Sequence, residues 1–260
     1  DEVPCFFANL VALKPTAVEF ETGKKNVEDM CVKPSNAVAY TNVPADKPEF
    51  KSVIALLRAH TLKKAFVAIP SATYLEHLCE FWVTARAFAT EIKGTIEGKP
   101  IVITAQVFRE VLDIDSTGPF VDYNPDTMLV PLKNAMGYLR NEKDNPKYLL
   151  RKNLDEIFKY VLMSVTRCLS TKTGSHDQMN GYEQAIVYGL IMNQKVDHGQ
   201  IFFNDLKRVL TGTRTVAIRF PRFLGLILER LVPSLFPSSN LFTTYSPSFL
   251  PSTCFEEVKG

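Results

Sequence analysis

The sequence predicts a mainly α-helical, multi-helix globular domain with one small antiparallel β-hairpin, and three observations support this fold class. Apolar residues recur at helical spacing through most of residues 46–231. The pattern changes to alternation near residues 90–103. The single tryptophan, Trp82, precedes that change, where it can pack between a marginal ribbon and its flanking helices. We therefore expect about eight helices around a short hairpin.

The chain divides into three predicted parts. Residues 1–45 are interrupted by prolines and polar runs, which indicates a loosely ordered N-terminal arm. Residues 46–231 form the helical domain. Residues 232–260 are rich in proline and serine and have no sustained period, which is typical of an extended or disordered tail. The aromatic side chains of this tail suggest that it could dock across the body or on a partner.

The first helices are predicted from apolar spacing and start signals. Pro48 opens a helix in which Phe50, Val53, Ile54 and Leu57 follow at i, i+3, i+4 and i+7. A short helical turn with apolar residues follows and ends before the proline at position 70. The first helix is therefore expected to bury one face against the rest of the domain.

The central stretch, residues 71–115, is predicted as helix, hairpin and helix. Ser71 is the expected cap of the first helix, Gly98 marks the hairpin turn, and Thr104 caps the second helix. Its structural residues are predicted to be those with large apolar side chains on the inner faces, namely Trp82, Phe81 and Phe108.

The second half continues as helices separated by polar loops. The stretch 153–169 carries one apolar stripe for more than four turns, and 182–192 is apolar almost all round, which favours a buried central helix. The remaining predicted helices begin or end at proline and glycine signals, and they span residues 131–139, 201–210 and 221–231.

Composition and charge exclude some functional classes. The 260 residues are 46% hydrophobic and 22% charged, with a net charge of +2, which does not favour nucleic acid or an anionic membrane as a strongly basic domain would. No apolar run reaches the roughly 20 residues that cross a bilayer, and Asp1 starts without an apolar leader. We expect a soluble chain or a fragment of a longer one, with no membrane partner.

The five cysteines are scattered singly. A disulfide framework or zinc site would show short, paired spacings, so reduced thiols and an intracellular location, cytoplasmic or nuclear, are expected. Cys79 and Cys168 are interpreted as small core residues. Since phosphate-binding glycine loops and metal-ligand spacings are also missing from the sequence, no cofactor and no metal are predicted.

His176 and Asp177 are the candidate catalytic residues, because they are an adjacent pair with acid–base chemistry. A hydrolase or transferase would also need a cysteine or serine nucleophile within about 3 Å of the imidazole. The alternative is that Ser175 or Asp177 caps the following helix while His176 is exposed or binds a carbonyl group.

A cluster of basic residues near the C-terminal helices is the candidate nucleic-acid surface. Phenylalanines are interleaved with it, as in surfaces that follow a phosphate backbone. The alternative is a solvated helix edge. The cluster comprises Lys207, Arg208, Arg214, Arg219 and Arg222.

Several segments together resemble a family of plant mobile-element proteins. They include LCEFWVTARA, IEGKPIVITAQVFREVL, RCLSTKTGSHDQ, NQKVDHGQIFFNDL and RFPRFLGLIL. In this order they resemble putative plant transposon proteins and the N-terminal, gag-like region of plant retrovirus-related polyproteins, and the tryptophan–hairpin–helix arrangement is similar to the plant mobile domain. The resemblance covers residues 49–231 and implies a noncatalytic region. It carries no catalytic role to His176 or Asp177.

Three functions follow as hypotheses. The first is a noncatalytic structural or interaction domain of plant mobile-element origin that works through protein partners or self-association, with weak nucleic-acid binding. The second is a hydrolase or transferase that uses His176 and Asp177 with a Cys or Ser nucleophile. The third is a small-molecule carrier, which would need an apolar cavity of several hundred Å³.

Overall fold

The computed structural model describes residues 31–32, 36–39, 42–43, 45–115, 117–140, 142–212, 217–235 and 244–250. Nine α-helices lie in these ranges, and the prediction of a mainly helical fold is confirmed. They are α1 Lys51–Ala59, α2 Lys63–Val67, α3 Leu75–Thr84, α4 Ala105–Leu112, α5 Pro125–Ala135, α6 Glu156–Cys168, α7 Gly181–Met192, α8 His198–Thr211 and α9 Pro221–Leu231.

The strands of the described residues form two small sheets. One is antiparallel with the order β2-β3-β4, and the other is the parallel pair β1-β5. Their bounds are β1 Cys31–Val32, β2 Arg86–Ala87, β3 Ile92–Ile96, β4 Lys99–Ile103 and β5 Ala217–Ile218. Short 3₁₀ turns occur at Pro48–Phe50, Arg151–Asn153 and Pro233–Leu235.

The predicted hairpin is present as β3 and β4, but the expectation of a single hairpin was wrong in extent. Arg86 and Ala87 add a third strand, which two residues are too short to reveal by alternation. The turn fits the register because Glu97 and Gly98 both have positive φ, at 48° and 72°, as a two-residue hairpin turn requires.

The three-stranded sheet packs on α3, where Phe81 approaches β3. The side chains of Trp82, Phe81 and Phe108 are at most 1% exposed, and we call these three residues the Trp82 cluster. A Cβ atom at Gly94 of β3 would lie 2.9 Å from the Phe81 ring, so the strand approaches the helix more closely than a side chain would permit. The ribbon is therefore stabilised by helix contact and not by its own hydrogen bonds alone.

The predicted caps were partly right. Thr104 accepts a hydrogen bond from the backbone N–H of Val107, as expected for the start of α4. The prediction for Ser71 was wrong, because α3 begins only at Leu75. The Ser71 N–H instead donates to Oε2 of Glu229 at 3.2 Å, which ties the segment before α3 to α9.

Described residues from the predicted arm and tail pack on the helical body. The Val38 N–H donates to the Ser248 carbonyl at 2.8 Å, and the Leu250 N–H donates to the Val38 carbonyl at 2.9 Å. Leu250 is 1% exposed. Residues 248–250 therefore run parallel to residues 37–39, and Ala37, Ala39 and Leu250 contribute to the core.

The helices of the described ranges are short relative to a membrane. None of them combines the length and the apolar character needed to cross a bilayer.

Candidate functional site

Arg222, one of the predicted nucleic-acid contacts, is buried in the core with an exposure of 0%, so that prediction was wrong for this residue. Its guanidinium donates to the carbonyl groups of Asn36 at 2.8 Å, Ala68 at 2.7 Å, Ala65 at 2.6 Å and Cys168 at 3.0 Å. We call Arg222 and these four carbonyl groups the Arg222 cluster. A fully buried side chain cannot follow a phosphate backbone.

The Arg222 cluster joins four segments of the chain. Burial lowers the pKa of Arg222 to about 10, so the side chain is still charged at neutral pH. It forms no ion pair with a carboxylate of the described residues. Asn36 reinforces the junction, since its side-chain oxygen accepts from the Phe223 N–H at 2.8 Å and its amide donates to the Cys168 carbonyl at 2.5 Å.

The other predicted nucleic-acid contacts that the structure describes bind to groups of the protein itself. Lys207 donates to the Ala89 carbonyl at 3.1 Å, and Arg219 donates to the carbonyl of Thr171 at 3.5 Å. Arg208 is exposed but is paired with a carboxylate of its own helix. Arg214 lies outside the described residues.

Arg208 belongs to a polar network between α8 and the segment after α6. Its Nη2 lies 2.6 Å from Oδ1 of Asp205, whose side chain is only 2% exposed. The same carboxylate accepts from the Thr171 N–H at 2.9 Å and from the Thr171 hydroxyl at 3.0 Å. The bonds to Thr171 connect α8 to the segment after α6, and the Arg208–Asp205 pair within α8 supports them, so the network has a structural role.

The candidate catalytic residues His176 and Asp177 are not hydrogen-bonded to each other in the described structure. Asp177 is exposed, and its Oδ1 lies 2.8 Å from Nη2 of Arg151. His176 is half-buried, and burial together with the charge of Arg167 lowers its pKa to about 4. Its Nδ1 has no hydrogen-bond partner in the described part of the chain. Among the described residues, no hydrogen bond joins His176 to Asp177 or to a cysteine or serine nucleophile.

Two other histidines, His60 and His198, lie close together between α1 and α8, and the sequence did not reveal this contact. The ring centroids of His60 and His198 are 5.6 Å apart with the rings nearly perpendicular. Burial lowers the pKa of His60 to about 4, and burial together with the nearby His60 lowers the pKa of His198 to about 3. Both rings are neutral at pH 7, and they line a cleft of about 310 Å³.

The α1–α2 groove is the apolar cleft of the described surface, with a volume of about 390 Å³. It has an apolar floor and a charged rim. The floor is formed by Ala39, Ile54, Leu57, Phe66 and Val67, and the rim by Arg58, Lys63, Lys64 and Asp113. A groove of this type binds an apolar group and orients it by the charges at its edge.

Another cleft, of about 470 Å³, lies between the segment before α5 and helices α7 and α8. Its polar groups already have partners. The Tyr123 hydroxyl lies 3.1 Å from Oε1 of Gln184, and Oδ2 of Asp197 lies 2.6 Å from Nη2 of Arg109. Burial raises the pKa of Tyr123 above its ordinary value, so the phenol does not ionise near neutral pH.

Metal ligands do not cluster in the described ranges. No group of three or more His, Cys, Asp and Glu side chains is placed there to hold a metal ion. Cys79 and Cys168 are buried free thiols, in agreement with their interpretation as core residues.

Comparison with known proteins assigns no family to this chain. No protein-family model, curated protein or solved structure matches it. The resemblance to plant mobile-element proteins stays a prediction, and function has to be inferred from the contacts, burial and charges described above.

Proposed function

We propose that this chain is a noncatalytic interaction module of mobile-element origin that acts through contacts with other proteins or with copies of itself. The observation that carries the proposal is the α1–α2 groove, which combines an apolar floor with cations at the edge. Such a surface supplies apolar area for the burial of a partner and charge for its orientation. The mobile-element origin rests on the resemblance over residues 49–231.

The ion pairs and hydrogen bonds of the polar residues support a noncatalytic role. Asp177 is bound to Arg151, and Asp205 is bound to Thr171 and Arg208. These groups connect segments of the fold, and none of them projects into the α1–α2 groove. The hydrolase or transferase alternative would need a free acid–base group beside a nucleophile. Within the described residues, the Nδ1 atom of His176 has no hydrogen bond to a nucleophile.

Self-association is supported by exposed apolar side chains around α5. Val130 of this helix is 62% exposed, and Leu139 just after it is 69% exposed. Tyr148, in the following loop, is 40% exposed. Exposed apolar side chains that lie near one another in sequence are candidates for contact with another protein.

The mass of the protein in solution tests the self-association mode. We expect light scattering after size exclusion to show a mass that rises with concentration, and we expect Val130→Glu combined with Leu139→Glu to abolish this rise. Arg140→Glu is the matched control, because it changes charge at a neighbouring exposed position without removing apolar area.

Retention on immobilised nucleic acid at increasing salt tests the weak nucleic-acid binding that the sequence predicts. With Arg222 buried and Arg208 paired, we expect little retention at physiological salt. A strict monomer at all concentrations that also binds no partner at the α1–α2 groove would contradict the proposed function.

A further inference from the structure

The floor of the α1–α2 groove is made of side chains that already belong to the core. Ile54 and Phe66 are 1% exposed, and Leu57 and Ala39 are 5% and 5% exposed. Val67 is half-buried and packs against the same core. Because these side chains are held from the inner side, the floor does not have to form when an apolar group enters. A preformed site of this kind loses little conformational entropy on binding.

The extended segment beside the groove keeps its backbone N–H groups bonded within the protein. Residues 37–39 donate all three of these groups to the carbonyl groups of Arg167, Ser248 and Phe66, at 2.8, 2.8 and 2.9 Å. A partner that added a strand here would need donors left unpaired along one edge. Recognition in the α1–α2 groove therefore depends on side chains and not on backbone pairing.

The rim of the groove carries an excess of positive charge. Arg58, Lys63 and Lys64 are exposed there, and Asp113 is the carboxylate that lines the same rim, so three positive charges minus one negative charge leave +2. None of these three cations forms an ion pair with a described carboxylate. Arg58 donates from Nη2 to Oδ1 of Asn42 at 3.0 Å, a neutral partner that leaves its charge in place.

Size and charge together favour one apolar anchor with acidic neighbours. The volume of about 390 Å³ lies near the lower end of the range for ligand sites, about 300–1,000 Å³, which gives room for one large side chain. The cations come from both helices, and two carboxylates are needed to balance a charge of +2. A protein segment with acidic residues on both sides of an apolar residue supplies the anchor and both carboxylates. A small molecule with one carboxylate supplies only half of this charge.

We propose that the α1–α2 groove binds an acidic segment of a partner protein. One phenylalanine or leucine of that segment lies on the apolar floor, and its flanking carboxylates lie beside Arg58, Lys63 and Lys64. This assignment rests on the interaction function proposed above and names the chemistry of the partner. A basic segment with the same anchor is rejected, because it adds like charges to the rim.

The anchor and the rim have different tasks in this contact. Exposed ion pairs are individually weak, so the buried anchor supplies most of the affinity. The cations select acidic partners and fix their orientation. Since salt screens exposed charges, the affinity should fall as the ionic strength rises, and the contribution of the anchor should remain.

Titration of the full-length ¹⁵N-labelled chain with a synthetic pentapeptide tests the assignment. The probe has one phenylalanine, two glutamates on each side of it and blocked ends. We expect saturable shifts of the amide signals of Lys63, Lys64 and Val67, which line the groove. The Kd should be about 1 mM or tighter at low ionic strength.

Changes in the probe leave the protein untouched and test the anchor and the charges separately. Alanine in place of the phenylalanine should weaken binding about tenfold or more, because the apolar burial is lost. Lysine in place of all four glutamates should abolish the shifts. The compound 3-phenylpropionate carries the same ring with one carboxylate, and it should bind about tenfold more weakly than the pentapeptide.

Charge exchange in the protein supplies the decisive comparison. We expect Lys63→Glu with Lys64→Glu to weaken binding of the acidic pentapeptide about tenfold and to create binding of the lysine pentapeptide. The matched control places glutamate at two exposed cations outside the groove lining, Arg140→Glu and Lys147→Glu, and should change neither affinity by more than about twofold. Unchanged dispersion of the other amide signals shows that every variant is folded.

Four results would overturn the assignment. They are the absence of saturable shifts at the groove amides up to about 5 mM peptide, equal binding of the phenylalanine and alanine peptides, equal binding of the acidic peptide to the parent and to Lys63→Glu/Lys64→Glu, and equal binding of 3-phenylpropionate, which would make the groove a site for small aromatic acids. The mass in solution is measured separately. A chain that self-associates but ignores the peptide keeps the proposed function while this inference fails.

Discussion

The Trp82 cluster and the Arg222 cluster stabilise the same core by different kinds of interaction. Trp82, Phe81 and Phe108 are apolar side chains that are at most 1% exposed. Arg222 is just as deeply buried, but it is charged and donates to four backbone carbonyl groups. One cluster joins elements that are close in sequence, and the other joins the segments around residues 36, 65–68 and 168 to α9.

This difference predicts how much stability each cluster should lose when one of its side chains is substituted. Apolar burial is nondirectional and roughly proportional to area, so a side chain of similar shape retains most of it. A buried guanidinium is directional, and its removal leaves carbonyl groups without the donors that a buried position requires. We expect substitutions in the Arg222 cluster to cost more than shape-conserving substitutions in the Trp82 cluster.

Arg222→Met should have the largest effect. It keeps the length of the side chain but removes the guanidinium donors from four carbonyl groups, of which only that of Cys168 keeps a second donor among the described residues, the Asn36 amide, and we expect a loss of about 4 kcal/mol in the free energy of unfolding. Urea unfolding followed by circular dichroism measures it. Arg230→Met on the same helix is the control, because Arg230 is exposed and should be nearly neutral. Similar losses for the two variants would contradict the structural role of Arg222.

Gly225→Ala should have the next largest effect. A Cβ atom there would contact the Thr73 hydroxyl oxygen and lie 2.9 Å from Cγ of Pro70, so α9 would have to move away from the segment before α3. We expect a loss of about 2 kcal/mol by the same unfolding measurement. Gly181→Ala at the start of α7 meets open space and should be neutral or stabilising. A neutral Gly225→Ala would show that the two segments do not pack as closely as described.

Trp82→Phe should cost less, at about 1.5 kcal/mol, because the smaller ring keeps most of the buried apolar contact at this position. The same urea titration measures it, and thermal unfolding provides a second reading. If Trp82→Phe proved as damaging as Arg222→Met, the contrast between directional and nondirectional junctions would be lost.

Mild acid should act on neither cluster, because Arg222 stays protonated and the Trp82 cluster does not titrate. It should act on His60 and His198, because burial lowers their pKa values in the folded protein to about 4 and about 3, below the ordinary histidine value of 6.5. The unfolded chain then binds more protons than the folded one below about pH 6.5, so stability is lost as pH falls. We expect a loss of about 1 kcal/mol between pH 7 and pH 6.

Urea unfolding at the two pH values measures this loss, and His60→Gln with His198→Gln should reduce it. His176 accounts for part of the remainder, because its pKa is also lowered, to about 4. A pH dependence that is unchanged in the double variant would show that these two rings are not buried in their neutral form.

The sequence predicts the Trp82 cluster far better than the Arg222 cluster. The hairpin and the helices around it follow from local periods, because each residue is read against neighbours within a few positions. β2 escaped this reasoning because two residues show no period. Ser71 looked like a cap, but its N–H is bound to Glu229 on α9, a contact made across 158 positions.

Arg222 was misread for a related reason. An arginine after Pro221 at the start of an amphipathic helix is typical of a solvated edge, and its partners at Asn36 and Ala65 are distant in sequence. One signal was available, because Gly225 lies one turn later inside the same helix. An interior helical glycine is destabilising unless another segment needs the space, so it indicates close packing on that face.

The sequence predicts only part of the α1–α2 groove. Ile54 and Leu57 follow from the apolar stripe of the first helix, but the floor also needs Ala39, which belongs to the predicted arm. Its cations, such as Lys63 and Lys64, have the same spacing as any solvated helix face. Only the tertiary arrangement shows that they surround an apolar cleft.

The most direct test of the central contrast is the free energy of unfolding of Arg222→Lys. Lysine keeps the positive charge but has three donors on a single ammonium and cannot reproduce the planar guanidinium contacts with four carbonyl groups. We predict a loss of about 2 kcal/mol or more relative to the parent chain. A variant that unfolds at the same urea concentration as the parent would show that charge alone suffices at this position, and it would contradict the account of a directional junction.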